Sequence, residues 1–259
     1  MGRAEETIRS GAGSGAVGHL GSGSRPGTLA ESNRDETAGA RRPSLDLDPF
    51  FLPVHRLGEG ALAGVEALTP LDETAPELEL AAARIALACV GDLPPRIFLS
   101  VKLSPGTLWR SEPAEALEPG ELGRLVVEVD PIGAADQDGL ALARLRRRGV
   151  RLAVVYAGVR VITASDLVRF APELIKLDPT LVGGIRHDRW RRAFVGSLVS
   201  FAETFDASLL AGGIEETMDL QVLRSLGVRY GSGPVLGPPV PFRALKTSTS
   251  SSARAARSE

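Results

Sequence analysis

Ionisable side chains follow short apolar runs at five places along this chain. They are Glu66, Lys102, the pair Glu128 and Asp130, the pair Lys176 and Asp178, and Glu215. Carboxylates and amines are side-chain groups that can bind charged ligands and transfer protons. One charge at the end of a strand is usually just solvated, but five that converge form a candidate site.

These groups meet only if the apolar runs are neighbouring strands of one sheet. The predicted strands are 50–54, 62–68, 97–101, 125–129, 152–156, 174–177, 208–211 and 229–231. The predicted helices, in which apolar residues recur three and four positions apart, are 77–90, 136–147, 164–170, 189–203 and 218–226. Apolar strands that alternate with helices indicate a parallel sheet covered by helices, and about eight strands in about 200 residues favour a closed barrel with its site at the carboxyl ends of the strands.

The connection between the first two strands is too short to contain a helix. It consists of the five residues 56–60, which include Gly58 and Gly60. Such a connection predicts a hairpin, so one strand should run antiparallel to the others. The predicted fold class is therefore α/β: a modified (β/α)8, TIM-like barrel with one antiparallel strand.

The composition divides the chain into three regions. Residues 1–45 and 246–259 are rich in Gly, Ser, Ala and Arg and contain few large apolar side chains, so we expect a disordered arm and a disordered tail. Residues 46–245 form the predicted barrel domain. No run of about 20 apolar residues and no signal peptide is evident, which predicts a soluble, cytoplasmic protein with no membrane partner.

Charge and cysteine content exclude several classes of function. The formal net charge is −2 over 259 residues, so no basic face is expected and nucleic acid is not an expected partner. The single cysteine, Cys89, rules out a disulfide framework within the chain, and three widely spaced histidines rule out a Cys/His zinc module.

Several short segments around the ionisable residues resemble the motifs of one signalling family. They are Gly64 to Leu68 (GVEAL), Leu99 to Pro105 (LSVKLSP), Val127 to Asp130 (VEVD), Ile175 to Asp178 (IKLD), Ala211 to Glu215 (AGGIE), Tyr230 to Pro234 (YGSGP) and Gly237 to Pro241 (GPPVP). In this order, from about Phe51 to Pro241, they resemble the motifs of EAL domains. Each motif is weak alone, but the ordered set covers nearly all of the predicted barrel.

The resemblance implies a barrel that binds cyclic di-GMP and, in active members, hydrolyses it to the linear dinucleotide pGpG with Mg²⁺ or Mn²⁺. By matched position, it assigns Glu66, Glu128 and Asp178 to metal ligation. The remaining catalytic-site positions are Lys176 and Glu215, with Gly212 at the position of the base. The positions that the resemblance assigns to ligand binding are Leu68, Lys102, Lys176, Asp178, Glu215 and Pro238.

The sequence departs from the family pattern where the chemistry is most demanding. Lys102 replaces the expected Asn ligand, Val155 and Tyr156 replace a carboxylate pair, and Gly212 replaces the catalytic carboxylate. Further changes are Ser232 for a Gln, Pro70 for an Arg that contacts phosphate, and an altered loop at 158–163 in place of the segment linked to dimerisation and metal positioning. We therefore expect the metal positions to be unoccupied and no cofactor to be bound.

Carboxylates that remain without a metal repel one another, and each raises the pKa of its neighbours. Lys102 and Lys176 could offset this repulsion. We hypothesise that Lys102 acts as an internal cation between Glu66 and Glu128 in place of a metal, so that Lys102→Asn lowers thermal stability. The alternative is that Lys102 reaches into solvent and pairs with nothing.

Two functions follow from the resemblance. The first is a catalytically inactive EAL-like domain that acts in bacterial signalling by binding a protein partner, or by binding cyclic di-GMP without hydrolysis. The alternative is an active or weakly active metal-dependent cyclic di-GMP phosphodiesterase. The substitutions at residues 155, 156 and 212 favour the first, and the oligomeric state stays open.

Overall fold

The barrel expected from the alternation of strands and helices is present. The computed structural model describes residues 49–68, 76–108, 122–129, 139–156 and 164–245. The predictions for the arm 1–45, the tail 246–259, Pro70, Asp130 and the loop 158–163 lie outside the described residues.

Eight strands close into a barrel, and a ninth short strand extends the sheet. The strands are β1 (Phe50–Arg56), β2 (Leu62–Leu68), β3 (Phe98–Lys102), β4 (Leu125–Val129), β5 (Arg151–Tyr156), β6 (Leu174–Leu177), β7 (Ser208–Ala211), β8 (Tyr230–Gly231) and β9 (Val240–Pro241). Strands β2 to β8 follow one another around the barrel in parallel, and β1 closes it between β8 and β2. The sequence did not predict β9, which pairs with the first two residues of β1 and is only two residues long.

Helices cover the outside of this sheet. They are α1 (Pro76–Val90), α2 (Pro105–Leu108), α3 (Gly139–Arg147), α4 (Ala164–Phe170), α5 (Pro179–Val182), α6 (Arg189–Glu203) and α7 (Thr217–Ser225). The two short helices α2 and α5 follow directly on the carboxyl ends of β3 and β6. Among the described residues, no helix has the length and apolar character needed to cross a lipid bilayer.

The predicted hairpin is confirmed, since β1 is antiparallel to β2, to β8 and to β9. Arg56 donates its backbone N–H to Ala61 across the connection at 2.8 Å, and Gly60 turns the chain with a φ of 69°. That φ lies in the left-handed region, which glycine adopts without steric cost.

Side chains on the barrel strands alternate between two cores. The larger core, which includes Leu99, Val127 and Leu177, lies between sheet and helices, while Phe98, Val126 and Leu174 belong to a smaller core inside the barrel. Successive residues of a strand face opposite sides. The residue two positions after Phe98, Val126 or Leu174 on its strand therefore also faces the inside of the barrel. This alternation directs the side chains of the candidate site into the barrel.

Candidate functional site

Three charged side chains meet inside the barrel, towards the carboxyl ends of the parallel strands. Glu66 comes from β2, Glu128 from β4 and Lys176 from β6. They come from alternate strands, which is how one layer of side chains is built in a barrel of this kind. The sequence separations of 110 and 48 residues from Lys176 show that only the closed barrel brings them together.

The ammonium group of Lys176 lies between the two carboxylates. Its Nζ is 2.6 Å from Glu66 Oε1, 2.9 Å from Glu128 Oε2 and 3.0 Å from Glu128 Oε1. Ser100 on β3 donates its hydroxyl to Glu128 Oε1 at 2.7 Å. The Glu128 side chain is 3% exposed, and those of Lys176 and Glu66 are 14% and 17% exposed. The group formed by Glu66, Ser100, Glu128 and Lys176 is called the mouth cluster below.

Two carboxylates share one ammonium here, and the pKa shifts reflect this imbalance. Burial raises the pKa of Glu66 most, the Glu128 carboxylate raises it further, and the two lysines lower it without cancelling the rise. Burial is also the largest influence on Lys176 and lowers its pKa, but the two carboxylates together outweigh it and hold that pKa above its ordinary value. Lys176 therefore stays charged at neutral pH, and Glu66 accepts a proton more readily than an ordinary glutamate.

The hypothesis that Lys102 is the internal cation is wrong, because Lys176 occupies that place. Lys102 is the last residue of β3, its side chain is exposed, and it forms no ion pair with a residue in the described ranges. Its charge acts on Glu66 through space, where it lowers the pKa of that carboxyl. Ser100 and Lys102 are successive inward positions of β3. Lys102 lies one position nearer the mouth of the barrel than Ser100, so its side chain extends towards solvent.

Two of the altered family positions border the mouth cluster. Val155 is the neighbour of Lys176 in the β5–β6 register, so an apolar side chain lies there instead of a carboxylate. Gly212 is buried, and a Cβ atom at that position would lie 3.3 Å from the Leu177 carbonyl oxygen and 3.6 Å from Lys176 Cε. A side chain at position 212 would therefore be crowded by the Leu177 carbonyl and would lie in ordinary contact with the Lys176 stem. Of Tyr156, only the backbone is described.

The remaining predicted site residues do not join the cluster. Asp178 caps helix α5 instead, since its Oδ1 accepts the Thr180 N–H at 2.9 Å. Glu215 is exposed in the loop before α7, and Leu68 is 36% exposed at the end of β2. Of the predicted metal positions, only Glu66 and Glu128 are therefore brought together.

Two residues of the closing segments also lie apart from the mouth cluster. Pro238 is exposed and borders a separate cavity of about 530 Å³, whose lining contains none of the clustered residues. Ser232 is fully buried next to β7, where its N–H donates to Ala211 at 2.9 Å, and its hydroxyl has no partner in the described part of the chain.

The residues present do not fit a divalent metal. Among the described residues, no three His, Cys, Asp or Glu side chains are close enough to hold one. Glu66 and Glu128 offer oxygen atoms, but both carboxylates already face the Lys176 ammonium, which occupies the space between them and repels a second cation. No step of a reaction is therefore assigned to a metal here.

Sequence reasoning missed Ser100. It lies two residues before Lys102 on β3, so the alternation of a strand already places both on the inner face. A buried hydroxyl needs a partner, and the Glu128 carboxylate supplies one. The available signal was a polar residue at an inward position of an otherwise apolar strand.

The fold and the motifs agree with one known family. The EAL domain family model matches residues 75–239, which is more than half of the 259 residues and begins after Glu66 and Leu68. No curated protein matches the sequence.

Solved EAL structures share the fold. The EAL enzyme Bd1971, in a form with cAMP and cyclic-di-GMP bound, has a TM-score of 0.71 and 19% identity over 78% of this chain and 64% of its own. The EAL domain of Mycobacterium smegmatis DcpA has a TM-score of 0.71 and 21% identity over 78% of this chain and 97% of its own. Klebsiella pneumoniae BlrP1, in a manganese and cyclic-di-GMP complex, has a TM-score of 0.69 and 24% identity over 78% of this chain and 58% of its own. This chain thus spans less than two thirds of Bd1971 and of BlrP1, and identities this low show similarity of fold alone.

Proposed function

Because this chain belongs to the EAL domain family, we propose that it is a catalytically inactive member that acts in signalling by binding, with a protein as its partner. The observation that carries this proposal is the lack of a carboxylate at two positions beside Lys176, whose β5 neighbour is Val155 and whose stem lies next to Gly212. Lys176 itself belongs to the matched motif, and its ammonium lies 2.6 Å from Glu66 and 2.9 Å from Glu128.

Hydrolysis of a phosphodiester needs an activated water and a group that takes its proton. Positions 155 and 212, where the family pattern has carboxylates, supply neither, because they are a valine and a glycine. A protonated lysine has no lone pair for either task. Loss of the metal site removes the activated water, and loss of the base removes the group that takes its proton. The expected loss of activity is therefore larger than the loss caused by weakening one metal ligand.

Incubation of the full chain with cyclic di-GMP and Mn²⁺, followed by chromatography, tests the proposal. We expect no release of linear dinucleotide above a blank without protein, with an active EAL phosphodiesterase as the positive control. Product that accumulates in proportion to protein, and that stops on Glu66→Gln, would establish the alternative of an active or weakly active enzyme.

A second candidate is a receptor that binds cyclic di-GMP without hydrolysis. It is favoured by the exposed Lys102 at the rim of the mouth, since a cation there is accessible to a phosphate group. Against it, Pro238 borders a cavity that contains none of the clustered residues, and Glu215 is exposed and forms no contact with the mouth cluster among the described residues. Calorimetric titration with cyclic di-GMP in EDTA separates the two candidates. Binding that weakens in Lys102→Met supports a receptor. The absence of binding supports a domain whose partner is a protein.

A further inference from the structure

At the opposite end of the barrel, arginines lie at the ends of three strands. Arg56 ends β1, Arg151 begins β5, and Arg229 immediately precedes β8. Since β1 is antiparallel to the other strands, all three positions lie at the amino ends of the parallel strands. This end is opposite to the mouth cluster.

A pair of aromatic rings connects these arginines. Phe98 and Tyr230 pack edge to face with ring centroids 5.8 Å apart. The Arg151 guanidinium lies 5.4 Å from the Phe98 centroid, and that of Arg229 lies 5.5 Å from the Tyr230 centroid. Arg56 is the direct neighbour of Tyr230 in the β1–β8 register. The set of Arg56, Arg151 and Arg229 around these two rings is called the arginine end below.

The positive charge of the arginine end is poorly neutralised. Arg229 donates to the Ser208 hydroxyl at 3.4 Å, and Arg56 forms one exposed ion pair, with Glu59 at 3.5 Å. Within the described ranges, neither Arg151 nor Arg229 has an ion pair with a carboxylate. The Nε groups of Arg56 and Arg151 are buried and have no acceptor among these residues.

A buried N–H group without an acceptor is costly, because it has lost water and gained nothing in return. Here two such groups belong to guanidinium ions, whose planar forks match the oxygens of a phosphate group. The aromatic rings limit the freedom of Arg151 and Arg229, so less entropy is lost when an anion binds.

We propose that the arginine end is a binding site for a phosphate group, separate from the mouth and independent of the activity assigned there. The phosphate oxygens accept hydrogen bonds from the guanidinium groups around the Phe98 and Tyr230 rings. Either a free phosphate compound or a phosphorylated segment of a partner protein supplies the same group.

Calorimetric titration of the full chain at constant ionic strength, in a buffer without phosphate, tests this proposal. The probes are inorganic pyrophosphate and a short phosphoserine peptide. The probe that binds with the higher affinity identifies the source of the phosphate group. Arg151→Gln should weaken binding about tenfold or more, as expected when one charge-assisted contact is lost. Arg229→Gln serves as the second variant, and thermal unfolding checks that both variants fold.

Two control variants make the result specific. Arg189→Gln removes the same charge and the same kind of stacking elsewhere, since Arg189 lies 4.8 Å from the Trp190 ring centroid on α6. Arg189→Gln should bind like the wild type. Lys102→Met removes the exposed cation at the mouth and shows whether the probe binds there instead. The proposal is overturned if neither probe binds at millimolar concentration, or if binding weakens in Lys102→Met and not in the arginine-end variants.

Discussion

Charged side chains are paired differently at the two ends of this barrel. At the mouth, two buried carboxylates surround an ammonium from the same chain, with contacts of 2.6 to 3.0 Å. At the arginine end, guanidinium ions lie over aromatic rings, and two buried N–H groups have no acceptor within the described ranges. The difference indicates that the charges of the mouth are paired within the chain, whereas the arginine end still has bonding capacity for an external ligand.

Removal of the internal cation tests this contrast most strongly. Lys176→Met leaves Glu66 and Glu128 buried without a counter-ion, which should lower the free energy of unfolding by about 3 kcal/mol near pH 8. Chemical denaturation measures the loss. Lys102→Met is the matched control, because it removes an exposed lysine and should change stability by less than about 0.5 kcal/mol. Equal effects of the two variants would mean that Lys176 is not the structural cation.

Removal of the Ser100 hydroxyl from the mouth cluster should lower the free energy of unfolding less than removal of the Lys176 ammonium. Ser100→Ala removes the 2.7 Å bond to Glu128 Oε1 and should lower the free energy of unfolding by about 2 kcal/mol, since the acceptor is charged and buried. Ser197→Ala is the control, because that hydroxyl bonds a helix carbonyl at 2.9 Å on the exposed surface. If the two substitutions cost the same, the Glu128 carboxylate does not depend on Ser100.

Alkaline pH offers a test of the same cation without changing the wild-type sequence. The pKa of Lys176 is raised in the folded state above its ordinary 10.5, so its stabilising contribution is complete below pH 10.5 and is lost as pH rises towards the folded value. Over that window the wild type should lose about 1.4 kcal/mol per pH unit more than Lys176→Met. Lys102, Lys176 and Lys246 are the only lysines, so few other groups titrate there. Parallel stability curves for the two proteins would contradict the raised pKa.

At the arginine end, loss of one guanidinium charge should have little effect on the free energy of unfolding. Arg151→Gln should change the free energy of unfolding by about 0.5 kcal/mol or less, since it gives up a partly exposed contact with an aromatic ring. Denaturation without phosphate measures this, and a loss comparable to that of Lys176→Met would show that the arginine end is structural as well.

The sequence predicted the barrel well because its strands are short apolar runs with clear ends. The bounds of β2, β4, β6 and β7 agree with the predicted ones, and the five-residue connection after β1 was sufficient to predict the antiparallel strand. The two-residue β9 was not predictable, since its pairing depends on where the closing loop meets β1.

The site was predicted less well, because residue type does not fix the depth of a side chain in a barrel. Lys102 and Lys176 both follow apolar runs, but only Lys176 lies in the layer of Glu66 and Glu128. The stagger between tilted strands sets that layer, and it is not visible in the sequence. The role of Asp178 was more accessible, since Pro179 immediately after it is typical of the first position of a helix, which makes Asp178 a capping residue.

With Lys176 between its two carboxylates and no carboxylate at positions 155 and 212, the mouth should bind no divalent metal. Electron paramagnetic resonance of Mn²⁺ titrated with the full chain tests this expectation most directly, because bound Mn²⁺ loses the sharp spectrum of the free ion. We predict that the free-ion spectrum persists at protein concentrations well above those of the metal. Stoichiometric loss of that spectrum, restored by Glu66→Gln, would contradict the account.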